Sequence, residues 1–273
     1  MARIAVLGTG KMGAAIASRL IDAGHRVTVW NRSASRTGGL VDKGARAAVS
    51  AAEAVADAEV VITMLADARA VETVLLGEHN AVANLPQGSC VVQMATIGPA
   101  AMMDLARRLP AGIDVVDAPV AGSVAAARSG ELRLLVGASE NTVERLHPIL
   151  SGLGTVHRCG GVGTGSAAKL VVNAALIMAM AALADALAVA EAVGVDRDVA
   201  LSLLATGPLG GAVRRATALG ADFSIALAGK DIQLTLDLVS DRSVPVARAA
   251  ATAVDAAPDQ SADLAALVMK EGT

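Results

Sequence analysis

The sequence predicts an α/β fold, a doubly wound and mostly parallel sheet, followed by an all-α C-terminal domain that a long interdomain helix joins to it. Three observations predict it. Strand-like and helix-like segments alternate up to about residue 160, which implies a parallel sheet covered on both faces. A G-x-G-x-x-G sequence, Gly8, Gly10 and Gly13, follows the first strand and opens the first helix, which marks the sheet as Rossmann-type. Beyond "GGVGTG" the strand pattern does not return, and a long Ala/Leu/Met-rich segment begins.

The elements follow in order. Apolar, β-branched runs at 3–7, 27–30, 60–65, 90–94, 114–120, 132–137 and 155–158 read as buried strands. Segments 12–23, 68–76 and 99–109 between them carry helical spacing. Ser166 is placed as the N-cap of a helix running to about Val193, where Gly194 ends it. Further helices are expected at about 197–206, 210–219, 224–240, 245–256 and 262–270. The division is residues 1–163 for the sheet domain and 164–273 for the helical one.

Composition narrows the function. Hydrophobic residues make up 54% of the 273-residue chain, which raises the question of a membrane. Much of that share is alanine, which packs soluble helices as readily as it faces lipid. The longest apolar run, 170–184, contains Asn173 and stops at Asp185, short of a span. The start, "MARIAVLGTG", reads as a strand rather than as a signal peptide. A cytoplasmic protein that engages no membrane is therefore expected. A net charge of −3 without a basic run argues against nucleic acid. Cys90 and Cys159 are isolated, so neither a disulfide framework nor a metal site is expected. The chain has no Tyr, and Trp30 and Phe223 are its only aromatics. A dehydrogenase with a tyrosine proton donor is thereby excluded, which leaves Lys, His, Asp, Glu, Cys or water.

The glycine loop points to a dinucleotide. Gly8 permits the turn, Gly10 lets the backbone approach a pyrophosphate, and Gly13 lets helix and strand pack closely. Thr9, Lys11 and Met12 fill the loop between them, and the first helix presents its free N–H groups to the phosphates. Met64 and Leu65, closing the run 60–65, are assigned to the same cofactor. The second strand ends in "WNRSASR". Asn31 stands where an NAD site usually has an acid, and Arg32, Ser33 and Arg36 follow. Guanidinium groups bind a 2′-phosphate that a carboxylate would repel, so NADP (as NADPH) is the expected cofactor.

Lys169 is the candidate proton donor. It stands in the first turn of an almost wholly apolar helix, with Asn173 four residues on and on the same face. The helix dipole, partial burial and a neighbouring oxidised nicotinamide ring would each lower its pKa from the ordinary value of about 10.4. A lysine ammonium would stabilise an oxygen that gains charge during hydride addition and then protonate it. His25, His79, His147 and His157 are scattered and pair with no carboxylate at a useful spacing.

Four segments together resemble the β-hydroxyacid dehydrogenases, the family of 3-hydroxyisobutyrate dehydrogenase and glyoxylate/succinic semialdehyde reductase, over nearly the whole length. "GTGKMG" resembles the cofactor loop GxGxMG, and "DAPVAGS" (117–123) the substrate loop DAPVSGG. "GTGSAAKLVVN" (163–173) resembles the catalytic segment GxGxxxKxxxN, and "KDIQL" (230–234) the motif KDxxLA. The resemblance implies that Lys169 is catalytic and Asn173 its partner. It implies that Thr96 and Lys230 contact cofactor or substrate near the nicotinamide, and that Gly122 and Ser123 hold a substrate carboxylate. It also implies a cleft site at the carboxyl ends of the strands. The substrate loop departs from the pattern with Ala121 for Ser, which removes a hydroxyl donor, and Ser123 for Gly, which supplies a shifted one.

Imine reductases look similar in both domains and also use NADPH. They generally carry another residue at the lysine position, so Lys169 argues against them. A non-catalytic NADP-binding protein of this fold would be expected to lose that lysine. The expected partners are a small-molecule substrate and a second copy of the chain, in a homodimer or homotetramer formed through the helical domain.

Overall fold

The computed structural model describes residues 1–77, 79–218 and 222–269. The chain divides into two compact units, Met1–Lys169 and Leu170–Thr273.

The strands of the first unit are β1 (Arg3–Leu7), β2 (Arg26–Trp30), β3 (Arg46–Ala47), β4 (Val60–Thr63), β5 (Cys90–Gln93), β6 (Asp114–Asp117), β7 (Val120–Ala121), β8 (Leu132–Gly137) and β9 (Gly154–Gly160). Its helices are α1 (Lys11–Asp22), α2 (Gly38–Val41), α3 (Ala51–Val55), α4 (Ala68–Leu75), α5 (Pro99–Arg108), α6 (Val124–Ser129) and α7 (Glu140–Leu150). The sheet runs β3-β2-β1-β4-β5-β6-β8-β7, with β9 paired to β8. From β3 to β6 every pair is parallel, whereas β6 and β7 meet β8 antiparallel. The order reverses direction at β1, so the loop after β1 opens where the two halves of the sheet diverge.

The strands are apolar on both faces because both are covered. On one face Ile4, Val6, Ile62 and Val92 pack against Ile16 and Leu20 of α1 and Val143 and Leu146 of α7. On the other, Ala5, Leu7, Trp30 and Val61 pack against Val55 of α3, Val71 of α4 and Met102 of α5. Cys90 belongs to the first of these layers, and burial pushes its thiol up to about 12.

Two expectations for this unit are corrected. The run 114–120 is two strands, β6 and β7, separated by Ala118 and Pro119. β9 is not buried: His157 and Arg158 are exposed, and the strand stands at the sheet edge beside β8. The two-residue β3 carries no sequence signal of its own.

The second unit is helical. α8 (Thr164–Ala192) crosses the division between the units and is followed by α9 (Arg197–Ala205), α10 (Gly210–Thr217), α11 (Ile225–Leu238), α12 (Pro245–Asp255) and a 3-10 turn at Leu264–Leu267. Ala174, Ile177, Met180, Leu183 and Leu187 form one stripe of α8 and pack with Ala212, Ala216, Ala228, Ile232, Ala250 and Val254. Ile177, Met180 and Leu183 are fully buried, and each contributes roughly 1.5–3 kcal/mol of transfer free energy. Alanine on the facing helices lets their axes approach closely, which is how this core forms with Phe223 as its one aromatic.

α8 is longer than the apolar run that announced it, and by length and composition alone it could cross a membrane. One stripe of it packs into the core of the helical unit. The segment 262–270 is another correction: only the turn Leu264–Leu267 forms among the described residues, and residue 270 lies outside them. Residue 219, expected to end the preceding helix of 210–219, also lies outside them.

Asp263 explains the short turn. Its carboxylate accepts two bonds from Arg215 (2.8 and 3.0 Å), one from Phe223 N–H (3.0 Å) and one from Ala265 N–H (2.9 Å). Burial alone would raise its pKa, but the Arg215 side chain and these N–H groups outweigh that and hold it below the ordinary carboxylate value. A carboxyl depressed in the fold contributes stability above its unfolded pKa and loses it as pH falls through the folded one. We expect Asp263→Asn to lower the melting temperature at pH 7. We expect the gap from the wild type to narrow as pH falls below about 4, the region where carboxylates protonate. Thermal melts at stepped pH measure this, and a gap that stays constant to pH 3 would refute it.

Candidate active site

The cofactor loop is built by close backbone approaches. Gly8 has φ +99°, and a Cβ there would lie 2.3 Å from the Met64 carbonyl oxygen. A Cβ at Gly13 would lie 2.0 Å from the Gly8 carbonyl oxygen. Gly10, at the N-cap of α1, meets nothing within 4 Å in the direction a Cβ would take. The loop is thus closed where it touches the strands and open where a phosphate would approach. Thr9 is buried, and its Oγ1 has no hydrogen-bond partner among the described residues. A buried hydroxyl without a partner costs free energy, which a bound pyrophosphate oxygen would recover. The residues present fit a dinucleotide on these grounds.

Asn31 ties this loop to the end of β2. Its Oδ1 accepts from Thr9 N–H (3.1 Å) and its Nδ2 donates to the Ser33 carbonyl (3.1 Å). Arg32, Ser33 and Arg36 are exposed beyond it. Ser33 stands at the N-cap of the 3-10 turn Ala34–Arg36, but its side chain makes no capping hydrogen bond. Lys11 is exposed, and Met12, Met64 and Leu65 are half-buried around the loop.

The carboxyl ends of the parallel strands form an aligned row. Leu7 is in register with Trp30 and Thr63, Thr63 with Gln93, Gln93 with Asp117, and Asp117 with Gly137. Thr63, Gln93 and Asp117 are fully buried polar side chains at the ends of apolar strands. Gln93 Oε1 accepts from Thr63 Oγ1 (3.0 Å) and Ala95 N–H (2.8 Å), and its Nε2 donates to the Ala95 carbonyl (2.8 Å). This amide holds the turn that carries Thr96, half-buried just beyond it. The sequence reading did not single out Thr63 or Gln93.

Asp117 holds α8. Its Oδ2 accepts from Ser166 N–H (2.7 Å) and its Oδ1 from Ser166 Oγ (2.6 Å). Burial pushes this carboxyl up, and the Ser166 hydroxyl and the N–H groups of Ser166, Gly163 and Gly165 work against that. Ser166 is therefore not the N-cap: α8 begins at Thr164, and the capping acceptor comes from β6. A Cβ at Gly165 would lie 2.2 Å from the Leu135 carbonyl oxygen and 2.6 Å from that of Asp117. The first turn of α8 is thus seated directly on β6 and β8.

In the same unit Gly122 is exposed and Ser123 half-buried. Ser123 Oγ accepts from Ala126 N–H (3.1 Å) as the N-cap of α6, which leaves its own hydroxyl proton available to donate. Lys169, half-buried, lies one turn beyond Ser166 on α8, and Asn173, buried, lies one turn further.

Within the helical unit Asn173 Nδ2 donates to Asp231 Oδ2 (2.5 Å). Asp231 Oδ1 lies 2.7 Å from Lys230 Nζ, an ion-pair contact that lacks hydrogen-bond alignment. Asp231 pairs with Lys230 and also fixes the Asn173 amide, so that Asn173 Oδ1 is the acceptor end left for another group.

A glycine loop of this geometry at the switch point of a parallel sheet, ahead of a helical unit, defines a nicotinamide-dinucleotide-binding oxidoreductase. Residues 3–163 match the family described as the NAD binding domain of 6-phosphogluconate dehydrogenase. Residues 163–268 match that described as NAD-binding of NADP-dependent 3-hydroxyisobutyrate dehydrogenase. The chain belongs to the β-hydroxyacid dehydrogenase family, the group of 3-hydroxyisobutyrate dehydrogenase and its relatives. It is 36% identical over 263 residues to 3-sulfolactaldehyde reductase of Escherichia coli, covering 92% of this chain and 88% of that protein. A Mycobacterium tuberculosis 3-hydroxyisobutyrate dehydrogenase structure with L-serine superposes with TM-score 0.86 at 28% identity, over 98% of each chain. An imine reductase from Myxococcus stipitatus matches with TM-score 0.70 at 22% identity over 98% of each chain, a likeness of fold alone.

Proposed function

We propose that this protein transfers hydride between NADPH and a small β-hydroxyacid or its aldehyde or keto form, with Lys169 as general acid/base. The observation that carries the reading is the pairing on α8. Lys169 sits one turn before Asn173, whose amide is fixed by the buried Asp231. With Asn173 Nδ2 committed to Asp231, its Oδ1 accepts a hydrogen bond from the lysine ammonium or the substrate hydroxyl and orients it. The nicotinamide, when bound, supplies or accepts the hydride. Lys169 stabilises the carbonyl oxygen as charge builds on it and then donates its proton; in the oxidative direction the neutral amine removes the hydroxyl proton. The family resemblance assigns Thr96, and separately Lys230, to contacts with cofactor or substrate.

Gly122 and Ser123 bind the acid group of the substrate through their N–H groups and the Ser123 hydroxyl proton. Ala121, buried in β7, brings no hydroxyl where the family pattern has Ser, so the side-chain donor of this loop is shifted to Ser123. The choice of NADPH rests on Arg32, Ser33 and Arg36 around Asn31, with no acid at that strand end. We place the enzyme in the cytoplasm. A homodimer or homotetramer through the helical unit is supported by Val171, Val189, Val193 and Leu203, which are 62–70% exposed there.

A panel of short acids with a β-hydroxyl or aldehyde group, including L-serine, 3-hydroxyisobutyrate, 3-sulfolactaldehyde, glyoxylate and succinic semialdehyde, tests this at the nicotinamide absorbance. Turnover of at least one, with NADPH preferred over NADH, is the expected result. Turnover confined to cyclic imines would move the chain to the imine reductase reading. Tight NADPH binding without any turnover would make it a binding protein.

A further inference from the structure

The buried carboxylate of Asp117 takes no part in the proposed chemistry, yet both of its oxygens are engaged. It comes from β6, 49 positions before its partner Ser166, and receives both the N–H and the hydroxyl of that residue. A helix end normally satisfies its first N–H groups with a side chain just before it or with water. In α8 the acceptor comes from the sheet instead, so the cap also fixes where the helix stands. Gly165, with backbone oxygens of β6 and β8 where a Cβ would be, shows how close that seat is. Gly137 repeats the approach from the other side: a Cβ there would lie 2.4 Å from the Gly161 carbonyl oxygen and 2.9 Å from Gly165 N. Lys169 follows Ser166 by three residues, about 4.5 Å along the helix axis. The same carboxylate ends the register row of Thr63 and Gln93, so it is referenced to the strand ends that also carry the Met64–Leu65 and Thr96 segments.

We propose that Asp117 is a positioning residue for Lys169: its carboxylate clamps the first turn of α8 to the sheet and so sets where the amine stands. The proposal rests on the reading of Lys169 as the acid/base only for its catalytic consequence; the clamp itself concerns the amine's position. Loss of the clamp lets the first turn open and the amine move. Turnover number then falls with little change in NADPH affinity, because the cofactor loop belongs to β1 and α1.

Limited acylation with N-acetoxysuccinimide, read residue by residue by peptide mass spectrometry, reports on the amine without any substrate. Asp117→Ala is expected to accelerate labelling of Lys169 about tenfold, the scale on which loss of charge-assisted hydrogen bonds shifts a local opening. Labelling of Lys43, which bonds Ser18 far from this turn, stays unchanged as the internal standard. Asp117→Asn, which keeps an acceptor for Ser166 N–H and offers its amide to Ser166 Oγ, returns Lys169 to near the wild-type rate. That rescue separates position from charge: if the Asn variant labels as fast as the Ala variant, the effect is electrostatic and the clamp is rejected. Should the Ala variant fail to fold, Ser166→Ala removes one of the two bonds and is expected to give a smaller acceleration; wild-type labelling there overturns the proposal. Turnover retained in Lys169→Ala would sink the catalytic reading and leave the labelling result standing.

Discussion

Lys169→Ala is expected to lower kcat by roughly 10³-fold, inside the about 10²–10⁴ that one positioned proton donor supplies. The dissociation constant for NADPH should stay within a few-fold of the wild type, because the residues that build the cofactor loop follow β1, β2 and β4 or open α1. Trp30, the single tryptophan, reads that constant by energy transfer to the reduced nicotinamide. Alanine removes two contributions at once, the cation that stabilises the forming alkoxide and the proton it passes on. Lys169→Arg separates them. A guanidinium keeps the positive charge but does not give up its proton in the working pH range. The arginine variant should therefore recover only the electrostatic share and remain far below the wild type. Turnover within tenfold of wild type in the alanine variant would mean that another group moves the proton. The absence of tyrosine from the sequence leaves few candidates to take its place.

Lys169 stood out in the sequence because its signal is local. One charged residue four positions before an asparagine in an apolar helix needs no tertiary information to be noticed. The glycine loop and the strand–helix alternation were legible for the same reason. What the sequence hid is long-range. Ser166 looks like an N-cap by residue type, yet the helix starts two residues earlier and Asp117 supplies the acceptor from 49 positions away. The segment 262–270 has the composition of a helix, but Asp263 spends its carboxylate on Arg215, Phe223 and Ala265 and fixes a single 3-10 turn. β9 carried a readable warning: of Thr155, Val156, His157 and Arg158 only Val156 is apolar, the pattern of an edge strand rather than of a buried one. Gln93 and Thr63 also left a trace. Three strands, "VVIT", "CVVQ" and "DVVD", each end in a polar residue, but only the register shows that these ends stand side by side.

The second large effect concerns the choice of cofactor, and Asn31 is where it turns. Its amide uses both ends, Oδ1 for Thr9 N–H and Nδ2 for the Ser33 carbonyl. An aspartate at this position keeps the acceptor for Thr9 but has no proton for Ser33, and it places a negative charge where a 2′-phosphate would lie. The same carboxylate suits the ribose 2′-hydroxyl of NAD. Arg32→Ala added to Asn31→Asp removes a guanidinium that would pair with the phosphate in a fork. Loss of two charge-assisted bonds, at about 1.5–3 kcal/mol each, corresponds to at least 10²-fold in affinity for NADPH. NADH lacks the phosphate and should bind at least as well as to the wild type, so the preference between the two cofactors reverses. Arg36→Ala alone should give a partial loss for NADPH, because Arg32 and Ser33 remain. Raised ionic strength should weaken NADPH binding more in the wild type than in the double variant, since these guanidinium groups are exposed and screened by salt. A double variant whose NADPH-to-NADH preference stays as in the wild type would show that the phosphate, if bound at all, is read elsewhere. The strand end "NRSASR" would then be a solvated turn whose Asn31 serves only to tie the glycine loop to β2.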